Sequence, residues 1–542
     1  MNNKNILNHC LLAATLLFSV SCTSDYEDIN SNPYQPGSLA PDDYSLGSAM
    51  NTLAGCVISP DVNTAQFTEC LTGGPYAGYF ADSNSGFNES ALSRYIPRDD
   101  WARVLLKSDR VIPVLYSNLT MVKNVVRATN DSVPLAIATV IKVAAMDRVT
   151  DAYGPIPYSQ IGADGKITIP YDSQESIYNK FFEELNWSIN YLNAHIGEAL
   201  TANADYVYGG NVSKWVKFAN SLKLRLAMRI SYAAPEKSKQ MAEEAVNAKN
   251  GGVIESNADN AKWNYFGSTQ NPLYVATRYN QATGCVTGGD THAAADIICY
   301  MNGYNDPRRE KYFVKSEFKS TSGADNTYVG LRHGIVIPGA DVTRQYSGVN
   351  VLPSDPLMWL NASEVAFLRA EGAAVHGYDM GGSAETFYND GIRLSFEQCG
   401  ASGADAYLAQ SSGLPTSITY KDPAGLNSYE GTIKLIPVKW DESATTDQKL
   451  ERIIVQKWIA NWQLGCESWC DIRRTGYPVL IPATEAGNAS GGIVNSLKGA
   501  RRLPYPLDEY VSNSANVKSA VSDYLLGADN MATDVWWAGK KK

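Results

Sequence analysis

Apolar residues at helical spacing mark out the first regular elements of this chain. Ile137, Ile141, Ala145 and Val149 lie four apart and would share one face of a helix over 135–150. Ser132-Val-Pro134 supplies its start, and Gly154, Pro155 and Pro157 its stop. Asp172-Ser-Gln-Glu175 has the form of a capping box with an acidic cap, and the stripe Ile177, Phe181, Leu185, Ile189 follows it. From Ser213 the positions Trp215, Phe218, Leu222 and Leu226 make another stripe. Lys214, Lys217, Arg225 and Arg229 fill the remaining positions and read as a solvated basic face. Asn361-Ala-Ser-Glu364 opens a further helix, broken at Gly377, Gly381 and Gly382. A helix over 384–398 follows, and the pattern predicts one long helix over 447–471.

The pair of helices on either side of Gly377 has a repeat-like spacing. Gly372, Ala384, Tyr388 and Gly391 fall where a tetratricopeptide unit places its small and aromatic contacts. Leu368 and Glu371 depart from that pattern. Residues 251–360 and 400–446 show little periodicity and are rich in Gly, Asn, Ser, Asp and Tyr. Loops of this length in a compact chain are usually functional. The expectation is therefore an all-α platform of helix pairs that presents long irregular loops. The expected division is 1–21, 22–44 and a single domain over 45–542.

The start of the chain has its own pattern. Lys4 precedes an apolar run from Leu11 to Val20, shorter than the roughly 20 residues a membrane span requires. It reads as a secretory signal. Ser19 and Ser21 stand before Cys22, which resembles a bacterial lipoprotein signal with Cys22 as the lipidated residue, although Leu is usual at position 19. Two or more acyl chains on that thiol would anchor the chain stably. Asp25, Glu27 and Asp28 resemble the acidic tag that sends lipoproteins to the outer face of the membrane.

Charge and motifs remove several function classes. The formal net charge is −10, which gives no electrostatic case for nucleic acid. HExxH, GxSxG, Walker and GxGxxG patterns do not occur. The five histidines fall in no metal-ligand spacing, so neither a metal nor a cofactor is expected. Of nine cysteines, Cys56 with Cys70 and Cys285 with Cys299 could pair. Cys466 and Cys470 read as packing thiols rather than metal ligands.

Aromatic residues carry the positive signal. The chain has 32 Tyr and 11 Trp, many in polar, Gly-rich surroundings such as GGPYAGYF (73–80) and KWNYFGSTQNPLY (262–274). A sugar has an apolar C–H face, which a flat ring covers, and a hydroxyl rim, which Asn, Asp, Gln and Arg satisfy. Tyr76, Tyr79, Phe80, Trp263, Tyr265, Tyr274, Tyr279 and Tyr346 are the candidate platforms. Asp82, Asn84, Asn264, Arg278, Asn280 and Arg344 are their candidate hydrogen-bonding partners. Packing beneath a loop is the competing role for each ring, and a peptide could use the same loops.

Several stretches together resemble the SusD/RagB family of outer-membrane nutrient-binding lipoproteins. Among them are YEDINSNPY (26–34), DRVTDAYGPIPYSQ (147–160), PYDSQESIYNKFFEEL (170–185), GGNVSKWVKFANSLKLRLAMRIS (209–231), NDPRREKYF (305–313), QKWIANWQLGCESWCDIRRTGYP (456–478), RRLPYPLDEY (501–510) and ADNMATDVWW (528–537). The resemblance implies an all-α scaffold of about four tetratricopeptide-like helix pairs and a non-catalytic protein. It also implies an oligosaccharide or, less often, a peptide ligand. The implied partner is a SusC-like TonB-dependent transporter. A surface glycoside hydrolase is the rival from another class; it needs two carboxylates at a set separation.

Overall fold

The computed structural model describes residues 41–108, 111–162, 168–264, 270–278, 289–318, 328–412 and 415–538. Residues 1–46 and 47–542 are two compact units, and the described part of the first opens helix Pro41–Ala54. The second unit is mostly helical. Helices α1 (Val111–Thr129), α2 (Val133–Tyr153), α3 (Gln174–Ala194), α4 (Val212–Arg229) and α5 (Pro235–Val246) pack each on the next. Helices α6 (Ala362–His376) and α7 (Ala384–Cys399) form a tight hairpin, and α8 (Thr446–Ala460) lies against α6. Helix α9 (Gly465–Thr475) follows. No helix among the described residues is long and apolar enough to cross a membrane.

Local chemistry explains most boundaries. In the first turn of α2, Pro134 needs no N–H, and Asp131 Oδ1 accepts from Val133 N at 2.9 Å. Gly154, at φ 85°, ends that helix. Asn361 caps α6 by accepting from Glu364 N at 2.8 Å. The small residues of the α6–α7 hairpin are needed for contact. A Cβ on Gly391 would sit 2.8 Å from the Phe367 ring, and one on Gly372 2.8 Å from the Met380 sulfur.

Several expectations change. The cap of α3 is Ser173, which accepts from Ser176 N at 3.2 Å, because Asp172 turns back to accept from Tyr158 N and Ser159 N at 3.1 and 2.8 Å. The single helix expected over 447–471 is two helices, parted at 461–464, where Gln463 adopts φ 77°. The break lets Gly465 meet the Gly73 backbone, where a Cβ would lie 2.5 Å from Gly73 C. Cys56 and Cys70 form no disulfide: Cys56 donates to Thr52 O, and Cys70 is a buried thiol. Cys466 and Cys470 are also buried thiols, and Cys285 lies outside the described residues.

Short antiparallel strand pairs stitch the irregular regions together. β1 (Phe80–Asp82) pairs with β3 (Thr291–Ala293), β2 (Ala261–Trp263) with β4 (Leu357–Leu360), and β5 (Ser417–Tyr420) with β6 (Tyr429–Lys434).

The interior is charged as well as apolar. Arg225 and Arg229 do not form a solvated face; both are buried, while Lys214 and Lys217 stay at the surface beside Asp259. Arg225 grips Glu364 of α6 through two bonds of 2.7 and 2.8 Å. Arg229 reaches both Asp151 of α2 and Glu467 of α9. Lys457 of α8 lies 2.8 Å from Asp471, and Arg474 binds Glu371 and Asp471. Arg148 binds Glu69, and Arg473 donates to Asp151 O at 2.6 Å. The carboxyls of this network are Glu69, Asp147, Asp151, Glu364, Glu371, Glu467 and Asp471. Its cations are Arg148, Arg225, Arg229, Lys457, Arg473 and Arg474, and His376 Nε2 lies 3.4 Å from Glu371. Burial, with Asp151 and Glu467 nearby, pushes Asp147 up to about 8 against the pull of Arg225 and Arg229. The raised pKa keeps Asp147 protonated in mildly acidic solution.

This assignment sets the pH dependence. The unfolded Asp147 titrates near pH 3.9, so above that the folded state holds a proton the unfolded state has lost. Its contribution is full below about pH 4 and is lost as pH rises through about 8. Glu371 and Glu467 behave oppositely: against the burial that would raise them, Arg474 and Arg229 hold them well below the usual range, so their contribution is lost in acid. Stability should therefore peak in the mildly acidic range. In urea melts at pH 5 and 9, Asp147→Asn should lose clearly less stability between the two pH values than the parent. An equal loss in both proteins would refute the protonated Asp147.

Candidate functional site

The stretch GGPYAGYF folds inward. A π-helical turn (Gln66–Gly73) runs into Gly74–Tyr76 and then β1. Gly73 meets the start of α9 so closely that a Cβ there would lie 2.7 Å from Cys466 N. A Cβ on Gly74 would lie 2.2 Å from the Phe80 ring. The glycines thus admit a close helix contact and carry the rings that follow into the core.

Burial redefines several expected platforms. Tyr76 packs on Trp469 with centroids 4.8 Å apart and donates to Leu92 O at 2.9 Å. Tyr79 stacks on Trp458 at 5.7 Å, and its hydroxyl meets Ser468 Oγ and Trp458 O. Phe80 meets Trp462 edge-on at 5.3 Å. Tyr346 is buried against Phe318 and donates to Asp422 Oδ1. Trp263 is buried in β2. Asp82 is buried too and accepts from Ser93 Oγ. Burial pushes its carboxyl up to about 7, opposed by Ser93 and His333. In this conformation protein neighbours occupy these groups, and none of the rings offers an open face.

Other expected residues lie at the surface. Asn84 Nδ2 donates to Asp290 Oδ1 at 3.0 Å, and its own oxygen accepts from Gly86 N. Tyr274 is half-buried on the short helix Pro272–Thr277, with the Arg278 guanidinium 5.4 Å from its ring centroid. Asn264 is exposed beside Tyr206 O, and Arg344 is exposed at the end of helix Ala340–Thr343. Tyr265, Tyr279, Asn280 and Cys22 lie outside the described residues.

The structure brings some of these together with residues the sequence did not single out. Gln66 Nε2 donates to Asp290 Oδ2 at 3.1 Å, so Gln66, Asn84 and Asp290 form one amide–carboxylate cluster. Thr343 Oγ1 donates to Ser83 O at 2.9 Å and brings the Arg344 segment to the same edge. Helix Pro272–Thr277 packs on the turn that carries Gln66. Half-buried Phe67 and Phe87 flank Trp101 edge-on at 5.1 and 4.9 Å. The amides of Gln66 and Asn84, the Arg278 guanidinium and the half-buried rings of Phe67 and Phe87 therefore gather along one edge, over buried Trp101 and Asp290. Such an edge can cover an apolar ring face and bond the hydroxyls around it. No cluster of His, Cys, Asp and Glu able to hold a metal occurs among the described residues. Phe67 and Phe87 were visible as aromatics in polar context, but nothing local tied Gln66 to Asp290, 224 positions away.

Comparison with known proteins agrees with this architecture. A family model described as SusD-like, "Susd and RagB outer membrane lipoprotein", matches residues 28–538. No curated protein matches. A SusD homolog from Bacteroides uniformis ATCC 8492 is 61% identical, with TM-score 0.87, over 92% of this chain and 100% of that one. A SusD homolog from Bacteroides thetaiotaomicron VPI-5482 is 40% identical, with TM-score 0.80, over 92% and 99% of the two chains. A chitin-binding SusD homolog from Flavobacterium johnsoniae is 34% identical, with TM-score 0.80, over 91% and 98%.

The division between buried and edge aromatics has a direct check. Tyr79→Ala should lower stability by about 3–5 kcal/mol, as large core truncations do. Phe87→Ala should leave the melting temperature within a few degrees of the parent. Calorimetric melts of the two variants decide it, and equal destabilisation would contradict the placement of Phe87 at the edge.

Proposed function

The chain belongs to the SusD and RagB family of outer membrane lipoproteins, and from that premise we propose that it captures oligosaccharide at the cell surface for import. The family binds nutrient without catalysis. The observation that carries the glycan reading is the pair of half-buried rings Phe67 and Phe87, packed on buried Trp101 and set beside Gln66 and Asn84, which bond buried Asp290. Tyr274 and Arg278 extend it. Each aromatic–sugar contact contributes about 0.5–1.5 kcal/mol by analogy with aromatic pairs, so several give a reversible site suited to capture and release.

The chitin-binding relative makes β-linked N-acetylglucosamine oligomers the first ligands to try. Their acetamido groups offer a donor and an acceptor that match the Gln66 and Asn84 amides. Release then passes the sugar to a SusC-like TonB-dependent transporter, which is the proposed partner. Acyl chains on Cys22 are the proposed anchor.

Titration calorimetry against chito-, cello-, xylo- and malto-oligosaccharides and against short peptides tests the reading. At least one oligosaccharide should bind, and Phe87→Ala should weaken it roughly 2- to 12-fold. Binding of peptides with no response to any sugar would replace the glycan reading with a peptide one.

A further inference from the structure

A groove beside the exit of α9 offers a second set of polar groups to a ligand. Gly476 with residues 478–481 forms one wall segment and residues 496–501 another, around a cavity of about 480 Å³. Val479 and Leu497 are 53% and 79% exposed on the two walls. Tyr95 and His333 also line the groove, but they are only 3% and 7% exposed.

Both deep residues are held in place. His333 Nδ1 lies 2.9 Å from Asp296 Oδ2. A carboxylate accepts, so Nδ1 is the donor, and in the neutral imidazole Nε2 is left as an acceptor. Asp296 Oδ1 accepts from Ile481 N at 2.6 Å, which fixes the carboxylate. Gly78 backs it, where a Cβ would lie 2.9 Å from Asp296 Cβ. Tyr95 adopts φ 62°, an uncommon conformation for a bulky residue. Burial and the nearby Asp296 push its phenol up to about 12, so it keeps its proton and can donate. Among the described residues, neither Tyr95 Oη nor His333 Nε2 has a hydrogen-bond partner.

We infer that this groove is a second saccharide subsite, where one sugar hydroxyl donates to His333 Nε2 and a neighbouring oxygen accepts from Tyr95 Oη. A sugar, whose hydroxyls both donate and accept, supplies both functions. Arg473, Arg474 and Arg501 also line the groove but are bonded to Asp151 O, Glu371 and Asp534, and Lys498 is exposed at its rim. A carboxylate or phosphate supplies acceptors alone and would leave Nε2 unsatisfied. Val479 and Leu497 provide apolar contact for C–H groups. The inference rests on the glycan reading above, yet it uses none of the residues of the aromatic edge.

The test separates the two sites. The protein and the variants Tyr95→Phe, His333→Asn and Phe87→Ala are titrated separately with chito-, cello-, xylo- and maltotetraose. Calorimetry reads affinity, and NMR of 15N-labelled histidine reads His333. Asn keeps an N–H for Asp296 and removes the Nε2 acceptor; thermal melts confirm that each variant folds. One tetraose should move the His333 resonances, and Tyr95→Phe and His333→Asn should each weaken that binding about fivefold to tenfold. If Phe87→Ala weakens binding while His333 does not move, the groove is refuted and the edge stands. If His333 moves but neither groove variant changes affinity, the groove is likewise refuted. If no tetraose binds, the saccharide assignment of the groove and the glycan reading both fall.

Discussion

The carboxylate of Asp151 is the contact on which the rest of the structure depends. Tyr178 of α3 and the indole of Trp537 each donate to Oδ1 at 2.7 Å, and Arg229 of α4 binds Oδ2. Through Arg229 the same network reaches Glu467 of α9, and Lys457 joins α8 to α9 at Asp471. Buried charge is tolerated only where every partner arrives in good geometry, and loss of one partner typically costs about 3–5 kcal/mol. This lattice joins α2, α3, α4, α8 and α9 through named polar contacts. Apolar packing alone would accept small sliding between them.

A frame locked in this way can carry long irregular segments without regular structure of their own. The residues on those segments still need fixed positions, and the corner from Gly73 to Asp82 supplies them. At one end β1 leads to Ser83 and Asn84, which bond Asp290 and receive Thr343. At its middle Gly78 backs the Asp296 carboxylate that orients His333. The open edge and the groove are thus built off one rigid turn, although they lie among different residues.

The same corner explains the sorting of the aromatic rings. Close approach of Gly73 and Gly465 draws Tyr76, Tyr79 and Phe80 against Trp469, Trp458 and Trp462. The hydroxyls of Tyr76 and Tyr79 find acceptors inside, at Leu92 O and Trp458 O. Phe67 and Phe87 sit on either side of Trp101, where the turn emerges, and keep part of their surface in solvent. A binding protein needs both populations: one holds the turn, the other meets the ligand.

The helices over 135–150, 177–189, 213–226, 362–376 and 384–398, the Asn361 cap and the small-residue contacts of the α6–α7 hairpin were legible in the sequence, because they follow from periodicity and from backbone chemistry within a few residues. Helices α1 and α5 and the caps at Asp131 and Ser173 were not. Asn361 and Gly391 act where their pattern placed them. Facing was not legible. Lys217 and Arg229 lie on one helix in similar patterns, yet Arg229 turns inward because Asp151 and Glu467 await it there. Nor were the split at Gln463, the inward rings of residues 76–80 or the Gln66–Asn84–Asp290 cluster. Each of these is settled by groups far away in the chain, since the energy that decides a charge or a ring comes from what surrounds it after folding.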